Sequence, residues 1–534
     1  MFTTMSRCFG FSLIVALLFS FLAAPSSVTA SVPDDGATRE YVVVFSQPSG
    51  LPAQVDRIVA SAGGTVTVRL PEIGAIGAQS ADPNFAANVA AHPSVQTVSL
   101  DIVTQMIPDH FALDASHSDN NGGTESPPGP DPQPMPDNLG REQWDKMRLN
   151  ATLSGSYAVE PGRKDVVVAV LDTGAEVLPV AHPDIAPNLD FARSRSFVDS
   201  ATGAALAVAD PNPASWDDRH GHGSWCLSAV GAPINVAGIS GVAPGVTLVA
   251  LKVLGDTGRG SFLGVANALV YSGINKFDVA SMSLGGYFNH SDFNAIYVVL
   301  NRATQFARSN GVLPVAALAN NNFDLSDGQF FRDFIEAPGE IPGVVGVSAT
   351  GYYNQKAFYS NYGVGATDIS APGGSTRDAS GVPGSGVGPP SQPAPYRGQG
   401  RVLGAWSVET IGSFSPVLTE EDCDPATGNC GVYAWVQGTS MATPNAAGVA
   451  ALIISQYGDF ETKSPQMGHM PPTEVESILQ ITANNQPCPE PGTFTGGPGF
   501  TSADNDCEGN TGYNNFFGKG IVDALKAVTY YNNQ

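Results

Sequence analysis

The 534-residue sequence predicts an α/β fold, a predominantly parallel sheet with helices on both faces, preceded by a small α+β unit. Two observations carry this. Between residues 165 and 350, short apolar runs (VVVAVLDTG, TLVALKVLG, DVASMSLGG, VLPVAALAN, VVGVSAT) alternate with longer helical stretches (LGVANALVYSGI, FNAIYVVLNRATQFARSNG). Near-continuous apolar strands separated by helices are strands covered on both faces, which a parallel sheet requires. Ahead of them, residues 39–106 follow a different pattern: strand (REYVVVF), helix (PAQVDRIVASAGG), strand (TVTVRL), a second helix near Phe85, and a last strand in which Val98, Leu100 and Ile102 alternate.

In chain order, residues 1–30 have the layout of a secretory signal: Arg7, an apolar run from Phe9 to Ala24, then small residues ending at Ala30. The alternative, a membrane anchor, is disfavoured because a span needs about 20 apolar residues. Residues 31–106 are the α+β unit. In 107–140, the run HSDNNGGTESPPGPDPQPMPDNLG crowds out any core-forming pattern, so an exposed, extended linker is expected. Residues 141–534 form the large unit, with a surface insertion expected at 373–433, where PGSGVGPPSQPAP and EEDCDPATGNC break the rhythm. A formal net charge of -24 argues against nucleic acid or an anionic membrane as partner. Loss of the signal would leave Cys226, Cys423, Cys430, Cys488 and Cys507. The near neighbours Cys423/Cys430 and Cys488/Cys507 are able to close two loops in an oxidising compartment, leaving Cys226 free, although spacing alone leaves the connectivity open.

Ligands of parallel sheets sit beyond the carboxyl ends of the strands. There VVVAVLDTG places Asp172, DDRHGHGSWC places His222 between two glycines, and VQGTSMATPNAAGVAAL places Ser440 at a helix start. A serine hydroxyl becomes a nucleophile when an imidazole takes its proton, and the imidazole needs a buried carboxylate to fix its tautomer. At a helix N-terminus, free N–H groups and the helix dipole would face an oxyanion. His220 is the weaker candidate for the base, since His222 is the one flanked by Gly221 and Gly223 and followed by a small hydroxyl residue, Ser224.

The order Asp, His, Ser and the segments around it resemble the subtilase family. GTSMATPNAAGVAAL is similar to the family's nucleophile motif and GHGSWC to its histidine motif; GVAPGVTLVALKVLG, DVASMSLGG and FFGKGIVDALKAV resemble further core segments, from about Gln143 to the C-terminus. The resemblance implies a subtilisin-like fold and a secreted, monomeric serine endopeptidase that acts on proteins or peptides through an acyl-enzyme, with no cofactor for the chemistry. It implies Asn320, in VLPVAALANNN, as oxyanion donor, with Asn321 and Asn322 as alternatives. Loss of that asparagine costs subtilisin about 10²–10³ in turnover. It further implies a substrate-binding edge at Ser283, Leu284, Gly285 and Gly286, where a peptide adds as a strand; an ordinary turn is the alternative. Asp184 in HPDI and Asn235 in NVAGISGVAP match structural calcium ligands, or else serve as a turn and a cap. The 31–106 unit resembles a ferredoxin-like inhibitory propeptide, an intramolecular inhibitor in a self-processed zymogen. Three residues depart from the family pattern: Ala319, where glycine is usual, Leu318 before it, and the bulky Trp225 after the histidine. Cys226 behind the base resembles the thiol-containing subtilases and is expected to be a buried structural thiol. A dedicated processing protease and an inactive peptide-binding subtilase are competing readings; a lipase is excluded by motif and order.

Overall fold

The structure is a computed structural model and describes residues 36–107, 135–328, 331–376, 400–425, 427–461, 468–489, 493–494 and 505–533. The expected signal, most of the expected linker and residues 377–399 of the expected insertion lie outside the described residues.

The N-terminal unit comprises β1 (Arg39–Phe45), α1 (Val55–Ser61), β2 (Thr65–Leu70), β3 (Ala75–Ser80), α2 (Phe85–Ala90) and β4 (Val95–Leu100). Its antiparallel sheet has the order β2-β3-β1-β4. Side chains alternate across a strand. Tyr41, Val43 and Phe45 of β1 therefore pack on Val55, Val59 and Phe85 of the two helices. Val42 and Val44 face the other way, into a core shared with Leu263 of the large unit. Both faces are buried, which is why an antiparallel strand carries the unbroken apolar run of a parallel one. Arg302 of the large unit fastens the contact by donating to the carbonyls of Phe45 and Ile73, 3.0 Å each.

A short strand, β5 (Val103–Gln105), leads out of this unit. The large unit follows with α3 (Trp144–Arg148), β6 (Val167–Asp172), β7 (Arg195–Val198), β8 (Ala205–Asp210), α4 (Pro213–Trp216), α5 (His222–Gly231), β9 (Thr247–Lys252), β10 (Arg259–Ser261), α6 (Phe262–Ile274), β11 (Val279–Met282), β12 (Gly286–Asn289), α7 (Asn294–Ser309), β13 (Leu313–Ala317), β14 (Phe334–Ala337), β15 (Val345–Thr350), β16 (Ile369–Pro372), β17 (Val402–Ala405), β18 (Thr419–Cys423), β19 (Cys430–Val436), α8 (Thr439–Tyr457), α9 (Pro472–Ile481) and α10 (Ala524–Val528). Its main sheet runs β16-β15-β13-β11-β6-β9-β7-β8 and is parallel except at the β7–β8 edge. Val168 and Val170 of β6 face a core with Ala446 and Val449 of α8. Val167, Ala169 and Leu171 face Leu263 of α6 and Val299 of α7. The pairs Leu171↔Met282 and Asp172↔Lys252 bring the ends of β6, β11 and β9 out at one edge of the sheet.

Two expected boundaries are corrected by packing. The stretch 373–433 is not surface throughout, because β17 and β19 pair antiparallel and bury Val402, Leu403 and Tyr433. Its short, glycine-bearing strands hid that in the sequence. β18 and β19 are closed by the Cys423–Cys430 disulfide, a second disulfide joins Cys488 to Cys507, and Cys226 is buried and free. The end of the expected linker is docked rather than exposed. The N–H groups of Asn138 and Leu139 donate to the carbonyls of Val236 and Gly238 at 2.9 and 2.8 Å. Asp137 accepts from the Asn235 and Val236 N–H groups and from the Ser240 hydroxyl.

Candidate active site

Asp172 ends β6 fully buried, with Oδ1 accepting the Thr173 N–H at 2.7 Å and standing 2.7 Å from His222 Nδ1. His222 opens α5, and each flanking glycine has a steric reason. Gly221 has φ 102°, and a Cβ there would collide with the Trp406 indole; a Cβ on Gly223 would collide with the Gly174 carbonyl. Asp218, unremarked in the sequence, builds the turn. Its Oδ1 accepts from the His220 and Gly221 N–H groups and from Thr173 Oγ1, and its Oδ2 accepts from Ser224 N–H and Oγ, all between 2.7 and 3.0 Å. Burial opposes its charge, but Lys252 and these donors prevail and hold its pKa below the ordinary carboxylate value. A sequence signal existed: an acid four residues before the histidine and six before Ser224, with donors close in the chain.

Ser440 is the second residue of α8, and Pro444 lies inside the same helix. Proline has no N–H to give the carbonyl four residues back, so the Ser440 C=O is released from the helix ladder. It accepts instead from Ser283 Oγ at 2.7 Å and from the Cys226 thiol at 3.6 Å, while Ser440 Oγ donates to the Ser283 carbonyl at 3.1 Å. The Ser440 backbone is thereby tied to the end of β11 and to α5. Cys226 Sγ is 3.9 Å from His222 Nδ1; burial first, and then the Asp172 charge, push its thiol pKa well up, which keeps it protonated.

The three consecutive asparagines separate cleanly. Asn320 Oδ1 accepts from Thr439 N–H at 2.8 Å and Thr439 Oγ1 at 3.0 Å, so its Nδ2 is the free donor end beside the start of α8. Asn321 accepts from the Tyr287 hydroxyl at 2.9 Å, and Asn322, fully buried, accepts from Lys356 Nζ at 2.7 Å. Ala319 has φ 68°, a left-handed conformation that explains why glycine is usual there. Trp225 fits because Gly404 of β17 gives its indole room; a Cβ on Gly404 would collide with it.

Leu284, Gly285 and Gly286 line a cleft of about 280 Å³ with Ala317, Ala319, Asn320 and Ser440, and Ser283, just ahead of them, is buried and bonded to the Ser440 carbonyl. One face of this cleft is occupied by the chain itself. β5 pairs antiparallel with β10, Met106 N–H donates to the Gly258 carbonyl at 3.1 Å, and Gly285 N–H donates to the Met106 carbonyl at 3.2 Å. Residues 103–106 thus lie as an added strand between two edges of the large unit.

Asp184 and Asn235 are brought together, but their oxygens face protein donors. Asp184 Oδ2 accepts from the Ile239 N–H at 2.9 Å and the Tyr433 hydroxyl at 2.7 Å, Oδ1 accepts from Asn235 Nδ2 at 3.4 Å, and Asn235 Oδ1 accepts from the Ala237 N–H at 3.1 Å. Calcium requires six to eight oxygens with lone pairs turned inward. A phenol packed on Gly238 and two N–H donors aimed at the carboxylate do not fit that requirement.

The sequence pattern described as the subtilase family matches residues 163–520. Subtilisin BL of Lederbergia lenta is 32% identical over 320 residues, 60% of this chain and 84% of that protein. Subtilisin NAT of Bacillus subtilis subsp. natto is 26% identical over 455 residues, 85% of this chain and 90% of that one. Among solved structures, the epidermin leader peptide processing serine protease of Staphylococcus aureus shares the fold at a TM-score of 0.64 and 20% identity, covering 93% of this chain and 99% of that chain. Matched over residues 163–520, the chain belongs to the subtilase family and is a serine endopeptidase.

Proposed function

We propose that the protein is a secreted endopeptidase made as a self-processed zymogen, with Ser440 as nucleophile, His222 as general base and Asp172 as the carboxylate that orients it. The observation that carries this reading is the convergence at one sheet edge of the 2.7 Å Asp172–His222 contact with the start of α8 and the donor end of Asn320. Ser440 Oγ attacks the peptide carbonyl and gives its proton to His222 Nε2. Ser440 N–H and Asn320 Nδ2 hold the oxyanion, and Asp172 stabilises the imidazolium. His222 then protonates the leaving amine, and water hydrolyses the acyl-enzyme by the same steps.

Residues 31–106 act in this proposal as inhibitor, supported by the strand that 103–106 add to the cleft edge, where a substrate would lie. Cleavage in or near the linker 107–140 then frees the 141–534 peptidase, which works as a monomer outside the cell after signal removal. The apolar run before Ala30, the two disulfides and the secreted character of the subtilisins support that location. Asp184 and Asn235 serve to pin their loop through protein hydrogen bonds.

Secreted wild-type and Ser440→Ala chains, each incubated with an unfolded protein and read by mass spectrometry, test the reading. Loss of the N-terminal segment and substrate cleavage are expected in the wild type alone. Cleavage by Ser440→Ala would overturn the assignment, and silence in both would favour an inactive peptide-binding protein.

A further inference from the structure

Beneath the cleft lies a carboxylate that the mechanism does not use. Glu336 of β14 is fully buried. Its backbone pairs with Tyr287 of β12, and its N–H donates to Glu340 Oε2 at 2.8 Å, so the segment is held firmly. Its side chain reaches between the two walls of the cleft. A Cβ on Gly285, in the substrate edge, would collide with Glu336 Oε1. A Cβ on Gly339 would collide with Oε2 and also lie 2.9 Å from the Ala317 carbonyl and 3.0 Å from Leu318 Cδ2, in the opposite wall. The glycines are therefore what let a carboxyl group reach this place. Among the described residues neither oxygen is placed to accept a full hydrogen bond. The Gly339 N–H favours the charged form, but burial foremost, and then the Glu340 carboxylate, raise the pKa well above the ordinary value.

An acid buried without a partner is costly, and a cation entering the cleft would remove that cost. Glu336 is not itself among the residues lining the cleft, but its Oε1 lies where a Gly285 Cβ would point and its Oε2 where a Gly339 Cβ would point, beside the Ala317 carbonyl, so the acid sits directly behind two lining residues next to Ser440. An aliphatic side chain would leave the acid unpaired; a long side chain ending in an ammonium or guanidinium would pair with it. We propose that Glu336 sets the primary specificity of the enzyme, selecting substrates with lysine or arginine immediately before the scissile bond. This deepens the endopeptidase reading and rests on it. The net charge of -24 acts in the same direction, since it draws cationic peptides toward the protein. Residues 107–140 hold no lysine or arginine. Under this selectivity the precursor's own cut falls at an unfavoured residue or just beyond, at Arg141, and because processing needs a single turnover, a slow reaction suffices.

The test uses the secreted, processed enzyme, Glu336→Gln, and peptide substrates that differ only in the residue before the bond: Arg, Lys, Leu or Phe. The wild type is expected to favour Arg and Lys over Leu and Phe by about 100-fold in kcat/KM, and Glu336→Gln to lose about 100-fold on the basic substrates while holding the Leu substrate within about threefold. A wild type that prefers Leu or Phe overturns the proposal, as does a Glu336→Gln enzyme that cuts the Leu substrate normally and keeps the basic preference. The wild-type cleavage sites on a denatured protein decide the matter independently if the variant does not fold. Failure of the endopeptidase reading looks different: no substrate is cut, and a fluorophosphonate probe does not label Ser440.

Discussion

Asp218, beside the histidine, and Glu336, beneath the cleft, are both fully or almost fully buried, yet their surroundings push them in opposite directions. Asp218 accepts five hydrogen bonds and has a lysine nearby. Glu336 has another carboxylate as its neighbour. A saturated acid fixes geometry, because every donor it holds would be orphaned by moving it. An unsaturated one leaves binding capacity for something that is not part of the protein. Asp184, closed by Tyr433, Ile239 and Asn235, belongs to the first class too.

The sharpest way to break this contrast is substitution among the residues proposed to carry the chemistry. Ser440→Ala is expected to lower kcat by about 10⁵–10⁶, and Asp172→Asn by about 10⁴ for every substrate regardless of the residue before the bond; a substrate-dependent Asp172→Asn effect would erase the distinction from Glu336. Next in size is the buried pair Lys146–Asp145, 2.6 Å apart and fully buried, whose lysine also donates to Asn445 of α8 at 2.7 Å. Lys146→Met is expected to cost about 3–5 kcal/mol in urea unfolding, since it strands Asp145. Asn320→Leu is expected to reduce kcat by about 10²–10³ with little change in KM. A fall in both Asn320→Leu and Asn321→Leu would mean that the three asparagines are not separated as their partners indicate.

How far the sequence allowed this to be read depended on where each partner sits in the chain. Asp172, His222, Ser440 and Asn320 stood out as candidates because each lies in a local motif whose glycines and apolar run fix one conformation. The parallel sheet was legible because burial on both faces writes itself as an unbroken apolar strand. β17 and β19 were hidden, since GVYAWV resembles a loop until Trp435 and Tyr433 are seen packed. Glu336 was hidden for a stronger reason: its meaning lies in the absence of a partner, while Gly285 and Gly339, which make room for it, look like ordinary turn residues. The Asp184–Tyr433 contact was hidden because nothing near Asp184 in sequence announces a partner 249 residues away.

The Asp184 contact predicts how stability varies with pH. Burial, above all, raises Asp184 to about 7, and it also raises Asp101 and Glu340 to about 7. Their folded pKa values lie above the unfolded ones, so the folded state binds more protons, and stability falls as pH rises from about 4 toward 7 and levels off above that. Tm of the inactive Ser440→Ala chain is therefore expected to drop by several degrees between pH 5 and 8, on the scale of about 4 °C or less per kcal/mol in a large domain. A chelator should leave it unchanged at both pH values. A chelator-dependent loss at pH 8 would mean that an ion, and not Tyr433, closes the loop.

The smallest effect concerns Ala319, where saturation and strain meet. Its carbonyl accepts the Asn361 N–H at 3.2 Å, so the loop is anchored, and yet φ is 68°, which costs an L-residue about 1 kcal/mol. Glycine would relieve that strain but lose more chain entropy on folding, so Ala319→Gly is expected to stabilise by about 0.5 kcal/mol or less in urea unfolding. Ala319 lines the cleft, while Glu336 lies behind Gly285, so the preference for a basic residue should survive while bulky aromatic residues gain. Loss of the basic preference in Ala319→Gly would place the specificity in the shape of the wall; its persistence, with loss in Glu336→Gln, would place it in the charge beneath.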